Sequence, residues 1–201
     1  MREMRRAVDR GRRALAIAQA AALVGVLIAS PSMADEFEVP VSMQTSLLTR
    51  IATYDRNFAA RAGTSARVLV LSRGGSPDAE RGASVMTEAL RKVPTIAGLP
   101  VQMEAMTWSG ARPLVDACKA GRIAIIYVAP GFADEIPKVV SALDELDVLS
   151  VAGTPRYVEA GVGVGFDVKD GHPKIVVNLT HARRQHADLA AALLKIARIV
   201  Q

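Results

Sequence analysis

The chain of 201 residues carries 25 Lys and Arg against 20 Asp and Glu, a formal net charge of +5, with half of its residues apolar and a single cysteine. Six arginines crowd the first 13 positions against only Glu3 and Asp9, so the rest is nearly neutral and has no field that would draw a nucleic acid onto it. One thiol cannot staple the chain to itself, which leaves burial of apolar surface to hold the fold.

The basic start runs into an uncharged stretch from Ala14 to Ser30 and then Ser32-Met33-Ala34, with small residues three and one positions before a cut. This is the layout of a secretory signal peptide over 1–34, with cleavage expected after Ala34 and delivery to the periplasm. A retained membrane anchor is the alternative; the apolar run falls short of the roughly 20 residues that span a bilayer and contains Gln19. Arg12-Arg13 leaves twin-arginine export open beside the general route. The mature segment, 35–201, has the length of one domain.

Pro40 opens a helix expected over 41–61, in which Leu47, Ile51, Tyr54 and Phe58 share one stripe. Asp55 falls inside that stripe, where a carboxylate loses its hydration unless a cation or backbone donor meets it. It is expected to form a structural buried pair with an arginine from elsewhere in the fold. Val68-Leu69-Val70-Leu71 makes 67–72 a buried strand. Arg73-Gly74-Gly75-Ser76-Pro77 then turns it into a helix over 79–92, with Ser76 as its cap and Pro77 suited to the first helical position. A glycine-rich turn at a helix start can hold an anion, so Ser72, Gly74, Gly75 and Ser76 are candidate ligand- or partner-binding residues. The loop follows neither the Walker nor the GxGxxG pattern, and plain turn geometry, a small-ligand loop and nucleotide binding are its three readings.

A strand over 101–107 leads to Trp108, the sole tryptophan. It is placed at the edge of the core with its indole N–H on a partner or solvent, or as a stacking platform for a ligand. A helix over 111–120 closes at Gly121 and holds Cys118, read either as a small buried residue or as half of an intermolecular disulfide. The stretch 122–129 is apolar on both faces, the mark of a central strand between helical layers. A helix over 133–146 and a strand over 148–152 follow, and the adjacent pairs Asp134-Glu135 and Asp144-Glu145 read as solvated helix positions.

Val162, Val164 and Phe166 alternate with smaller or polar neighbours, Lys169-Asp170-Gly171-His172 supplies a tight turn, and 174–178 is the return strand. Beyond it, Leu189, Leu193, Ile196 and Val200 fall on one helical stripe, with Asp188 as the N-cap. Alternating strands and helices followed by a hairpin define a single-domain α/β protein: a mixed, mostly parallel sheet flanked by helices, with a C-terminal β-hairpin and a closing helix. His181 and His186 are five apart, about 140° on a helix, which does not make a ligand pair. No nucleophile-elbow or S-x-x-K motif is present. Catalytic residue, metal site and cofactor are therefore all expected to be absent, and Arg183, beside Arg184, joins the partner-binding candidates.

Several stretches resemble the YfiR-like family of small periplasmic regulatory proteins: 48–58 (Leu48 to Phe58), Gly165-Phe166, Val177-Asn178-Leu179, Ala182-Arg183 and the closing run 193–198. The chain departs from that family in placing Ala190, Ala191 and Ala192 where serines are frequent, and in lacking cysteine pairs. The resemblance implies an exported, non-enzymatic regulator that binds the periplasmic domain of an inner-membrane diguanylate cyclase and holds it inactive, with an outer-membrane protein able to sequester it. A homodimer is also open to it. The competing class is a periplasmic small-molecule sensor using the loops 72–76 and 130–132, since open α/β sheets bind ligands beyond the carboxyl ends of their strands.

Overall fold

The computed structural model describes residues 39–201, so the expected signal peptide and its cleavage site lie outside the described residues. The chain runs α1 (Val41–Thr53), α2 (Phe58–Ala62), β1 (Ala66–Ser72), α3 (Pro77–Arg91), β2 (Thr95–Ile96), β3 (Leu99–Thr107), α4 (Ala111–Gly121) and β4 (Ile125–Val128). It continues through α5 (Ile136–Leu143), β5 (Leu149–Ala152), α6 (Pro155–Glu159), β6 (Val164–Lys169), β7 (His172–Asn178), α7 (Leu179–Arg184), α8 (Ala191–Leu194) and β8 (Arg198–Val200). One eight-stranded sheet has the order β2-β3-β1-β4-β5-β6-β7-β8.

The pairs β3–β1, β1–β4, β4–β5, β5–β6 and β7–β8 are parallel, whereas β2–β3 and β6–β7 are antiparallel. The mixed, mostly parallel α/β sheet expected from the sequence is therefore present. Alternation along the strands sorts the core into two layers. Val68, Val70, Ile125, Tyr127, Leu149 and Val151 face α1, α2 and α3. Leu69, Leu71, Ile126 and Val128 face Leu114 and Cys118 of α4 and the apolar side of α5. All four residues of β4 and of β5 are buried, as central strands covered on both faces require.

Local signals hold where they depend on near neighbours. Ser76 Oγ accepts from the Ala79 N–H, and Pro77 occupies the first turn of α3. Asp170 and Gly171 both have positive φ, 53° and 73°, the signature of a type I′ turn, whose twist matches the strands of a two-residue hairpin. Gly165 permits a close approach: a Cβ there would stand 2.8 Å from the Ala152 carbonyl oxygen and overlap the Val158 side chain. That contact seats α6, which the sequence did not indicate.

Several expectations are corrected. The helix over 41–61 breaks at Tyr54, and Asp55 sits in an isolated antiparallel bridge with Leu189. Asp55 is buried and paired as expected, but with Arg61, only six residues on (2.6 Å), so the partner is local. The closing helix shrinks to the single turn α8, because Arg56 N–H donates to the Asp188 carbonyl and Ala190 N–H to that of Tyr54, which holds 188–190 extended. Asp188 is consequently no N-cap; Ala190 takes that place, and the chain ends as strand β8 along β7. At the end of α4 the left-handed position falls on Arg122 (φ 48°) and not on Gly121. The helix expected over 133–146 is shorter, with 133–135 forming a turn ahead of α5.

Candidate functional site

In the parallel part of the sheet the chain goes from β1 to β3 on one side and then to β4 on the other. The order of connection thus reverses between β1 and β4, where a doubly wound sheet opens a crevice above its carboxyl edge. Here the crevice is largely filled by the protein itself. A Cβ on Gly131 would lie 2.6 Å from the Ala79 Cβ, so the turn after β4 rests directly on the start of α3. Arg73 Nη1 donates to the Gly131 carbonyl at 3.4 Å and closes the gap from the other side.

The glycine-rich loop is occupied in the same way. Gly75 N–H donates to Glu80 Oε1 at 3.1 Å, so a carboxylate of the same helix already takes one amide that would receive an anion. Ser72 Oγ lies 3.3 Å from the Met106 carbonyl and 3.5 Å from Thr107 Oγ1, turned toward β3. Gly74 packs against Thr107, where a Cβ would meet Cγ2 at 3.0 Å. Ser72, Gly74, Gly75 and Ser76 thus lie together at this edge, their contacts going to Met106 and Thr107 of β3 and to Ala79 and Glu80 of α3.

What remains open lies one step to the side. Trp108 is partly buried, and its backbone N–H donates to Ser72 at 2.8 Å. Its indole N–H donates to Glu135 Oε2 at 2.6 Å, and its ring meets Phe132 edge-to-face at 6.3 Å and 76°. Phe132 is fully buried, and its backbone N–H donates to the Tyr157 hydroxyl at 2.8 Å. Arg73 Nη2 stands 3.6 Å from Glu135 Oε1. Trp108, Ser109, Gly110, Glu135 and Lys138 bound an open groove of about 700 Å³ between the start of α4 and the side of α5. An aromatic wall, a half-screened carboxylate and a lysine make it suited to docking a side chain or a small amphipathic molecule.

The sequence reading placed Trp108 correctly at the core edge with a bonded indole N–H. It missed Glu135, read as a solvated helix position but only 23% exposed at its side chain, and it had Arg73 and Phe132 only as members of the loops 72–76 and 130–132. Asp144 is misread in the same way: it accepts from Arg184 at 3.2 Å and lies 3.0 Å from His181 Nδ1. A buried Trp N–H requires an acceptor, but nothing local indicates one 27 residues away.

Arg183 does not join this group. It is exposed on α7, which follows the antiparallel strand β7 and so lies at the opposite edge of the sheet. That edge also holds a cavity of about 200 Å³ lined by Arg61, Cys118, Lys119, Arg122 and Asp147. Cys118 is a buried free thiol, and burial pushes its pKa up to about 12. Among the described residues no group of three or more His, Cys, Asp or Glu could hold a metal, and no helix is long and apolar enough to cross a membrane.

The fold recurs in solved structures of low sequence identity. The *Streptococcus pneumonia* ABC domain in complex with L-Trp aligns at 15% identity and TM-score 0.53, over 81% of this chain and 62% of the other. A conserved domain protein of *Vibrio cholerae* aligns at 16% and 0.56, over 81% and 60%. CD0873 of *Clostridium difficile*, a substrate binding protein with adhesive properties, aligns at 15% and 0.51, over 81% and 60%. The chain thus spans about three-fifths of each, and the likeness shows the fold alone. No curated protein matches the sequence. The chain belongs to the YfiR/HmsC-like family, whose model matches residues 42–198, from the first helix to the last strand.

Proposed function

We propose that the protein is an exported, non-enzymatic repressor that binds the periplasmic domain of an inner-membrane diguanylate cyclase and holds it inactive. In this reading the signal peptide is cleaved after Ala34, and an outer-membrane protein relieves repression by sequestering the repressor. The observation that carries it is the family match over the entire described α/β domain. The filled crevice between β1 and β4 supports contact with a macromolecule over enclosure of a metabolite. The Trp108–Glu135 groove is the proposed docking site, because a partly buried aromatic ring beside a charged rim is typical of a protein-binding anchor.

Immobilised protein is expected to capture the periplasmic domain of an inner-membrane diguanylate cyclase of the same organism, and Trp108→Ala to weaken that capture at least about tenfold, as for an interface anchor. Capture that is absent, or indifferent to Trp108→Ala and Glu135→Ala alike, counts against the proposal. The second reading, a small-molecule sensor, rests on the same groove lying at the carboxyl edge of the parallel strands. Its mark is a metabolite that raises the melting temperature of the wild type and not of Trp108→Ala.

A further inference from the structure

α4 begins at the Trp108 groove and ends at a different opening, on the amino edge of the sheet. There α2 leads into β1, α4 into β4 and the turn 144–148 into β5, and these three strands are neighbours. Their lead-in segments enclose the cavity of about 200 Å³. Its apolar wall is Ile123, Leu146 and Val148, all buried, with the Cys118 thiol beside them. Its polar wall is Arg61, Lys119, Arg122 and Asp147.

The cations of this wall are not equivalent. Arg61 is committed to the fold: Nη1 donates to Asp55 at 2.6 Å, Nε to Asp147 at 2.8 Å and Nη2 to the His186 carbonyl at 3.2 Å. Lys119 and Arg122 are exposed, and neither side chain has a hydrogen bond or ion pair among the described residues. Arg122 takes the left-handed conformation that ends α4. Its Nη2 comes to 3.6 Å from where a Cβ on Gly63 would stand, so the guanidinium reaches from the end of α4 to the turn after α2. Cations in the last turn of a helix ordinarily serve its negative end, but here the end carbonyls have other donors. The Cys118 carbonyl accepts from Ile123 N–H at 3.1 Å, and that of Gly121 from Arg67 Nη1 at 2.8 Å. Glu104, beside Gly121, is offset by Arg67 at 3.8 Å. The Cys118 thiol adds no negative charge, since burial pushes its pKa up to about 12. Lys119 and Arg122 together outweigh the one carboxylate left over from Asp55, Arg61 and Asp147, and the site keeps a net positive charge.

We infer that this cavity binds a small organic carboxylate, its oxygens on Lys119 and Arg122 and its short apolar body against Ile123, Leu146 and Val148. A guanidinium and an ammonium give charge-assisted bonds to a carboxylate, and an apolar wall with a few convergent polar groups is the ordinary make-up of a small-molecule site. An inorganic anion would leave that wall facing water. A cavity of about 150 Å³ holds benzene, so this one takes a ligand of about six to eight non-hydrogen atoms. The site lies on the other edge of the sheet from the docking groove and stands or falls separately from the repressor reading.

The test is titration of the purified protein with isobutyrate, followed by proton–nitrogen correlation spectra at constant ionic strength. Isobutanol and isobutylamine, with the same carbon skeleton, are the controls. Isobutyrate is expected to shift the amides of 118–123 and 146–148 saturably, and the controls to bind at least about tenfold more weakly, as the loss of one hydrogen bond between charged groups requires. Lys119→Gln combined with Arg122→Gln is expected to abolish saturation at an unchanged melting temperature, because neither side chain has a partner to lose. Lys119→Arg, which keeps the charge, is expected to retain binding. Shifts that stay linear with concentration, that isobutanol reproduces, or that survive the double substitution overturn the inference. Inorganic phosphate that saturates the same amides while isobutyrate does not overturns the carboxylate assignment.

Discussion

Asp55→Ala probes what ties α1, α2 and the C-terminal segment together. The Asp55 and Arg61 side chains are 0% and 2% exposed and meet at 2.6 Å. Asp55 Oδ1 also accepts the backbone N–H of Asn57 at 3.1 Å and of Asp188 at 2.9 Å. Removing the carboxylate leaves a buried guanidinium short of its counter-charge and two N–H groups without an acceptor. Breaking a buried pair from one side costs about 3–5 kcal/mol. Asp147, 2.8 Å from Arg61 Nε but 58% exposed, retains part of the compensation and pulls toward the lower figure. Each orphaned N–H, at about 1 kcal/mol or more, pulls toward the higher. At about 2–4 °C per kcal/mol for a domain of this size, the melting temperature should fall by about 10 °C. The comparison is Asp147→Ala, which removes the exposed partner and should cost under about 1 kcal/mol. Urea unfolding followed by Trp108 fluorescence and far-ultraviolet dichroism measures both. A loss below about 1 kcal/mol for Asp55→Ala, or equal losses for the two variants, refutes the reasoning.

Gly165→Ala drives a methyl group into Val158 and the Ala152 carbonyl, and by the cost of overpacking should lower stability by about 1–3 kcal/mol in the same urea assay. Cys118 should not react with a thiol reagent until the protein unfolds, because it is buried and its pKa is pushed up to about 12. The raised pKa means that the unfolded chain releases the proton first. Stability from this group is therefore complete below about pH 8.5 and is lost toward pH 12, at up to about 1.4 kcal/mol per pH unit; Cys118→Ala should remove that slope from an alkaline unfolding series. Glu135→Ala leaves the Trp108 indole N–H without its acceptor, which should cost about 1–2 kcal/mol and shift the tryptophan emission to the red.

Legibility in the sequence followed the range of each interaction. The hairpin at Asp170-Gly171, the Ser76-Pro77 helix start and the doubly buried strand β4 are set within a few residues, and all were visible. The break after α1 was not, because Phe58 stays in phase with Leu47 and Ile51 while the cause, a bridge from Asp55 to Leu189, spans most of the chain. That same bridge delays α8 and sends the last residues into β8, although the helical stripe is continuous on paper. Ile196, on that stripe, is 61% exposed, so the apolar period there had no core behind it. The glycine loop was found as a feature but not as a self-filled one, since its contacts with Thr107 and Glu80 come from side chains rather than from the pattern. Trp108 could be placed without its partners, and the groove it lines depends on Glu135 and Phe132 arriving from another loop.

Cellular cyclic-di-GMP measured in a deletion strain, complemented with either the exported protein or a form lacking residues 2–34, tests the central claim most directly. Deletion should raise the nucleotide several-fold, the exported protein should restore the parental level, and the leaderless form should not. An unchanged level on deletion, or full rescue by the protein retained in the cytoplasm, would contradict repression from the periplasmic side.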